Sequence, residues 1–300
     1  MSWQARLFDG YARLALRRRQ WGTAHQLARR ARRLWGLPPG LRGLGLRGLR
    51  HRVVAQDGVR GEWLEPPMPR RGVVLYLHGG GYVACSAETH RPVTTALARS
   101  TGRRVFSADY RLAPEFPFPA AFDDALAVYR WVLHHAPGEP IAIAGESAGG
   151  GLTLALAVHI RDAGWPPPAC LVAFSPWTDL AGTGESLRAN EGHCVMFHPE
   201  NIAAFAGAYL AGAPPDDPRA SPLYADLGRL PPTLIQVGST ELLLDDARRV
   251  HDRIVAAGGA SRLTVYPRAP HAWQLLMPWL PEARLSLGEA GEFVRAHLES

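Results

Sequence analysis

The chain has 300 residues, 47% of them hydrophobic, with a formal net charge of +6 and three cysteines. That is enough apolar material for one large core, and with no internal repeat or long low-complexity linker it excludes a solenoid and a disulfide-built scaffold. All 33 basic residues are arginine, a bias that reads as codon composition rather than selection for phosphate contacts, so no nucleic-acid partner is expected.

The first 50 residues carry apolar residues at helical spacing, Leu7, Tyr11 and Leu14, then Leu27, Ala31, Leu34 and Trp35. They also carry a basic face, Arg17 to Arg19 with Arg29, Arg30, Arg32 and Arg33, expected to be solvated, with weak membrane-surface association as the alternative. No run approaches transmembrane length, and the start lacks the apolar stretch and cleavage site of a secretory leader. A cytoplasmic location is expected, with Cys85, Cys170 and Cys194 as free thiols.

From Val73 onward, short apolar runs alternate with helical patterns at Val73, Val105, Ile141, Leu171, Leu234 and Leu263. That alternation predicts an α/β fold with a mostly parallel, doubly wound sheet and ligands at the carboxyl ends of its strands. The residues just after each run carry the chemistry.

Val73 to Leu77 run into His78-Gly79-Gly80-Gly81-Tyr82, the pattern of an oxyanion loop. Backbone amides aimed at a carbonyl oxygen stabilise the negative charge that acyl transfer places there, and losing one donor costs a factor of about a hundred to a thousand. Gly80 and Gly81 are assigned as donors, with His78 and Gly79 completing the loop. After the next run, Asp109 to Glu115 and Pro117 to Ala121 read as a stiff loop pinned by Arg111 and a nearby carboxylate, shaping the elbow side of a pocket before a helix from Ala120.

Ile141 to Ala144 lead into Gly145-Glu146-Ser147-Ala148-Gly149, a G-x-S-x-G turn that would hold Ser147 strained and exposed while side chains at either glycine would strike backbone. The amide of Ala148 is the third expected donor. Pro199 to Leu210 read as a helix inside a segment, about 182–222, that breaks the alternation.

A serine needs a base and the base a carboxylate. In the chain order Ser, acid, His, the histidines after Ser147 compete. His251 and His297 sit in helical patterns, as do His159 and, earlier, His134 and His135, whereas His271 follows the Leu263–Tyr266 run in a Pro-rich loop. For the acid, Glu241 follows the strand Thr233 to Gly238 closely; Asp245, a first-turn helix acid, and Asp179 are the rivals.

These motifs in this order resemble the hormone-sensitive-lipase-like branch (bacterial family IV) of the α/β-hydrolase fold. Leu75 to Val83 and Thr89-His90-Arg91 are similar to esterases labelled monoterpene ε-lactone hydrolases, a label that does not define the substrate. Two departures stand out: Glu146 where many relatives have Asp, and Glu241 in place of the commoner Asp. The resemblance implies that residues 1–50 and the insertion at about 182–222 combine into a helical cap over a catalytic domain spanning 51–300. Tyr82, Phe197, Phe205 and Tyr209 are then expected pocket walls. It further implies a serine carboxylesterase for short- to medium-chain acyl esters, without metal or cofactor, and a homodimer through the terminal strand and helix. An amidase, formamidase or lactonase using the same residues is the first alternative. The second is a non-catalytic ligand-binding member of the fold, although such receptors lose the triad histidine.

Overall fold

The computed structural model describes residues 2–17, 22–36, 43 and 45–299; Arg18 and Arg19 of the expected basic face lie outside them. Among the described residues, one sheet holds β1 (Arg50–Gln56), β2 (Val59–Glu65), β3 (Arg70–Leu77), β4 (Arg103–Ala108), β5 (Ile141–Glu146), β6 (Cys170–Phe174), β7 (Thr233–Gly238) and β8 (Ser261–Tyr266). Their order is β1-β2-β4-β3-β5-β6-β7-β8. From β3 to β8 the strands are those expected from the apolar runs, and they pair in parallel. Strands β1 and β2 were not expected. They form an antiparallel hairpin turning at Asp57-Gly58, both at positive φ (55° and 76°), and β2 continues antiparallel onto β4. An Asp-Gly pair supplies that turn geometry, so the signal was present in the sequence.

The helices are α1 (Trp3–Ala15), α2 (Ala24–Trp35), α3 (Arg91–Thr101), α4 (Ala120–His135), α5 (Ala148–Asp162), α6 (Ser186–Ala189), α7 (Pro199–Leu210), α8 (Leu244–Ala256) and α9 (Pro281–Leu298). Successive side chains of a strand point to opposite faces, and crossover helices cover both faces of a parallel sheet, so both sets must be apolar. Along β3, Val73, Leu75 and Leu77 join one core with α4, α5 and α8, while Val74 and Tyr76 join the other with α3 and α9. Each such aliphatic side chain contributes about 1.5–3 kcal/mol by leaving water.

Strand β3 lies between β4 and β5, so the winding reverses there, and the crevice outside the carboxyl ends of β3 and β5 is where such sheets bind ligands. Both expected motifs, His78 onward and Ser147, begin at those two strand ends.

Helices α2 and α7 pack together beside this crevice. Helix α2 begins at a capping box between Thr23 and Gln26. Its Arg32 is not solvated as expected: it donates to the Val83 and Ala113 carbonyls at 2.8 and 3.0 Å and pairs with Glu115 at 2.6 Å. Arg17 likewise donates to the carbonyls of Glu191 and Phe197. On α1 the expected apolar face is reversed. Ala5 and Ala12 are buried, whereas Leu7, Tyr11 and Leu14 face out.

Candidate active site

The turn from β5 into α5 holds Ser147 at φ 53° and ψ −117°, a conformation that costs an L-residue energy and persists only where its surroundings enforce it. A Cβ on Gly149 would run into the Leu77 carbonyl, and one on Gly145 into the carbonyl of Gly149. The two glycines therefore let β5, α5 and the end of β3 meet closely enough to hold the strained serine.

The loop after β8 brings His271 to the serine: Nε2 lies 2.9 Å from Ser147 Oγ, and Nδ1 lies 2.6 Å from Glu241 Oε2. The second carboxylate oxygen of Glu241 accepts from Ser175 Oγ at 2.7 Å and from the Gly238 amide at 2.5 Å. With Glu241 accepting, Nδ1 carries the proton and Nε2 is left to accept from the serine hydroxyl. All three side chains are buried. Burial alone would lower the pKa of His271, but the charge and hydrogen bond of Glu241, with Glu146 and Asp246 adding to them, hold it above the ordinary histidine value.

The rival acids are occupied elsewhere. Asp245 accepts from the Ser186 amide in the first turn of α8. Asp179 is bound by Thr183, Tyr224 and Arg249. His251 pairs with Ser261, and His297 caps back onto Phe293.

At the end of β3, among the described residues, no protein acceptor takes the amide hydrogens of Gly80 and Gly81. Ala148 opens α5, so its N–H has no intrahelical partner either. His78 does not face the serine. Its ring stacks on Tyr110 at 4.2 Å, its Nδ1 meets the Gly79 carbonyl, and its own carbonyl accepts from Tyr110 Oη. Burial, with His90 adding, lowers its pKa to about 3, so it braces the loop as a neutral ring.

Two residues that sequence reasoning passed over complete this wall. Glu146 Oε2 lies 3.0 Å from His90 Nε2, and its other oxygen lies 3.6 Å from His271 Nε2. The Gly79 amide donates to that same His90 nitrogen at 3.2 Å. The signal for Glu146 was its place beside the serine; His90 had only its Thr89-His90-Arg91 setting. Cys85 also reaches the cavity, but burial, with Glu146 adding, pushes its thiol up to about 12 and keeps it protonated.

The cavity over Ser147 has a volume of about 290 Å³ and is walled by Trp35, Phe197, Ile202, Phe205, Leu275 and Trp279, among others. Trp35 stacks on Phe205 at 5.5 Å and meets Phe197 edge-on at 6.0 Å. Phe197 and Phe205 thus line the cavity. Tyr82 and Tyr209 do not line it: Tyr82 sits at φ 62°, and the two rings stack on each other at 3.8 Å behind the glycine-rich loop after β3, fully buried and outside the cavity. Nor does the Asp109–Ala121 loop line the cavity. Arg111 does pin it, through a forked pair with Asp124, while Asp109 accepts from the Ala87 amide, so the loop supports the segment after β3 from behind.

Among the described residues, Glu191, His198 and Glu200 hold possible metal-ligating atoms within 4.8 Å of one another. The serine chemistry makes no use of them. No helix among the described residues is long and apolar enough to cross a membrane.

A family model described as alpha/beta hydrolase fold matches residues 74–275. The chain is similar to an acetyl-hydrolase of Streptomyces hygroscopicus, 40% identical over 261 residues, covering 87% of this chain and 84% of the relative. It is also similar to an esterase of Acinetobacter venetianus, 37% identical over 244 residues, covering 81% and 80%. Among solved structures, an esterase of the bacterial hormone-sensitive lipase family matches with a TM-score of 0.89 at 41% identity, covering 99% of each chain. The chain belongs to the α/β-hydrolase fold family, in its hormone-sensitive-lipase-like branch. Within that branch it is a carboxylic ester hydrolase.

Proposed function

We propose that the protein is a serine carboxylesterase acting on short- to medium-chain acyl esters through an acyl-enzyme on Ser147. The observation that carries this reading is the continuous relay from Glu241 to His271 to Ser147, with contacts of 2.6 and 2.9 Å, at the strained turn. His271 takes the hydroxyl proton as Oγ attacks the ester carbonyl, and the oxyanion that forms rests on the amides of Gly80, Gly81 and Ala148. Collapse of the tetrahedral state breaks the bond to the alkoxy oxygen, which takes the proton from His271 and leaves as the alcohol. Water then attacks the acyl carbonyl as His271 takes its proton, and His271 passes that proton to Ser147 Oγ as the acyl bond breaks and the acid leaves.

Helices α1, α2 and α7 serve as the cap: Phe8, Trp35, Ile202 and Phe205 come from them and wall the acyl cavity. A cavity of about 290 Å³ lies at the low end of ligand sites, about 300–1,000 Å³, which supports small acyl groups. The test is hydrolysis of p-nitrophenyl esters from acetate to palmitate, with Ser147→Ala and His271→Ala beside the wild type. A maximum at short or medium chains, lost in both variants, is expected; activity surviving both substitutions removes the triad.

A further inference from the structure

Helix α1 is built inside out. With successive residues about 100° apart around a helix, Trp3, Leu7, Tyr11 and Leu14 share about a quarter of its circumference. All four are exposed, at 68%, 65%, 59% and 89%. The opposite side, with Ala5 and Ala12, is the buried one. A helix in a globular domain ordinarily turns its large apolar residues inward; here the small ones face the protein and the large ones face out.

The stripe is held rigidly. The amide and hydroxyl of Ser2 bond to Glu282 at 2.6 and 2.9 Å, Ala5 packs with Trp273, Leu280 and Ala283, and Arg13 donates to the carbonyls of Gly192 and His193. It also adjoins the acyl cavity. Phe8 of α1 lines that cavity together with Trp279, which is itself 59% exposed.

Charge selects the occupant. Arg6 and Arg13 flank the stripe on one edge, both exposed, and the one acid of the helix, Asp9, is half-buried. A second copy docking antiparallel through the same stripe would bring these arginines against their own kind, whereas anionic headgroups complement them. Trp and Leu on one face with arginine at its edge is the make-up of a helix that lies in a membrane interface.

We propose that α1 is an interfacial anchor, which seats the mouth of the acyl cavity on an anionic phospholipid surface so that water-insoluble esters enter from the lipid phase. The anchoring itself does not depend on the esterase reading; only the delivery of substrate does.

The experiment is co-sedimentation of the whole protein with vesicles of equal parts phosphatidylglycerol and phosphatidylcholine, and with phosphatidylcholine vesicles alone. Leu7→Ser/Leu14→Ser and Arg6→Gln variants run in parallel, and hydrolysis of dissolved p-nitrophenyl butyrate is measured on each. Wild type is expected to bind the anionic vesicles more tightly than the neutral ones. The double leucine variant should lose at least about tenfold in partitioning, since one leucine leaving water is by itself worth about that factor or more. Arg6→Gln should weaken binding to the anionic vesicles alone. Turnover of the dissolved ester should be unchanged in all of them, so loss of anchoring is told apart from loss of the ester chemistry. Failure of wild type to bind either vesicle, or equal binding by the double variant, overturns the proposal. So does a wild-type dimer in gel filtration that the leucine substitutions dissociate, which would give the stripe to a second copy.

Discussion

Replacing Glu241 by glutamine tests the relay at its most informative point. Oε1 accepts from the Gly238 amide at 2.5 Å and from Ser175 Oγ at 2.7 Å. A backbone N–H cannot accept, so the new amide places its oxygen there and turns its NH2 toward His271 Nδ1, 2.6 Å away in the wild type. Nδ1 must then accept, the ring proton moves to Nε2, and Nε2 can no longer take the proton of Ser147. A wrong tautomer of this kind costs about 10⁴ in kcat, or about 5.5 kcal/mol of barrier. The pH dependence should move as well. The base works when neutral, so kcat/KM falls as pH drops through the His271 pKa. That pKa lies above the ordinary value despite burial because of Glu241 first and Glu146 and Asp246 after it. Without the Glu241 charge, the acid limb of the residual activity shifts to lower pH. The assay is kcat/KM for p-nitrophenyl butyrate across about pH 5 to 9, the range in which such a base titrates, with circular dichroism to verify folding. A folded Glu241→Gln enzyme within tenfold of wild type, or with an unmoved acid limb, would refute the assignment.

Phe205 is buried, stacks on Trp35 and walls the cavity; Phe205→Ala should shift the preferred acyl chain longer by a few carbons while costing about 3–5 kcal/mol of stability, read from the ester series and from urea unfolding. An unchanged chain preference would place the acyl group elsewhere. Asp246 is a pH-dependent liability to the fold: burial, outweighing the bonds from the Thr178 and Asp179 amides, raises its pKa from 3.8 to about 7. The native state therefore keeps a proton that the unfolded chain gives up, so this stability is full below pH 3.8 and is lost as pH rises through about 7. At about 1.4 kcal/mol per pKa unit, the loss is on the order of 4 kcal/mol. Asp246→Asn should flatten the change in urea midpoint between about pH 5 and pH 8; an identical slope in wild type and variant would contradict this origin.

The strands that carry the chemistry were legible because they are buried on both faces, so β3 from Val73 and β5 are apolar runs that lead into glycine-rich turns, and β7 differs from that pattern only at Thr233 and Gln236. The hairpin at the sheet edge was not legible for the opposite reason. In β1 only Val54 is buried, and Arg50, His51 and Arg52 stand exposed, so the pattern looks like loop. Ser147, Glu241 and His271 could be ranked because each follows a strand whose carboxyl end faces one crevice. Glu146 and His90 could not, since their partnership spans 56 residues of sequence and exists only once β3, β5 and the turn before α3 meet.

The pocket walls and α1 show what periodicity leaves open. Tyr82 and Phe205 are both aromatic and both close to the oxyanion loop, yet only Phe205 sees the cavity; the left-handed backbone at Tyr82 and its stack on Tyr209 decide that, and neither is written in hydropathy. On α1 the apolar spacing of Leu7, Tyr11 and Leu14 identified a face correctly but not its direction. Alanine at position 5 allows the helix backbone to lie close against Trp273 and Leu280, and Ala12 is buried on the same side, while the arginine contacts and the Glu282 bonds to Ser2 fix its orientation. With the small side inward, the large apolar side faces out. The helix therefore supplies the cavity with one ring, Phe8, and presents the rest of its apolar surface outward.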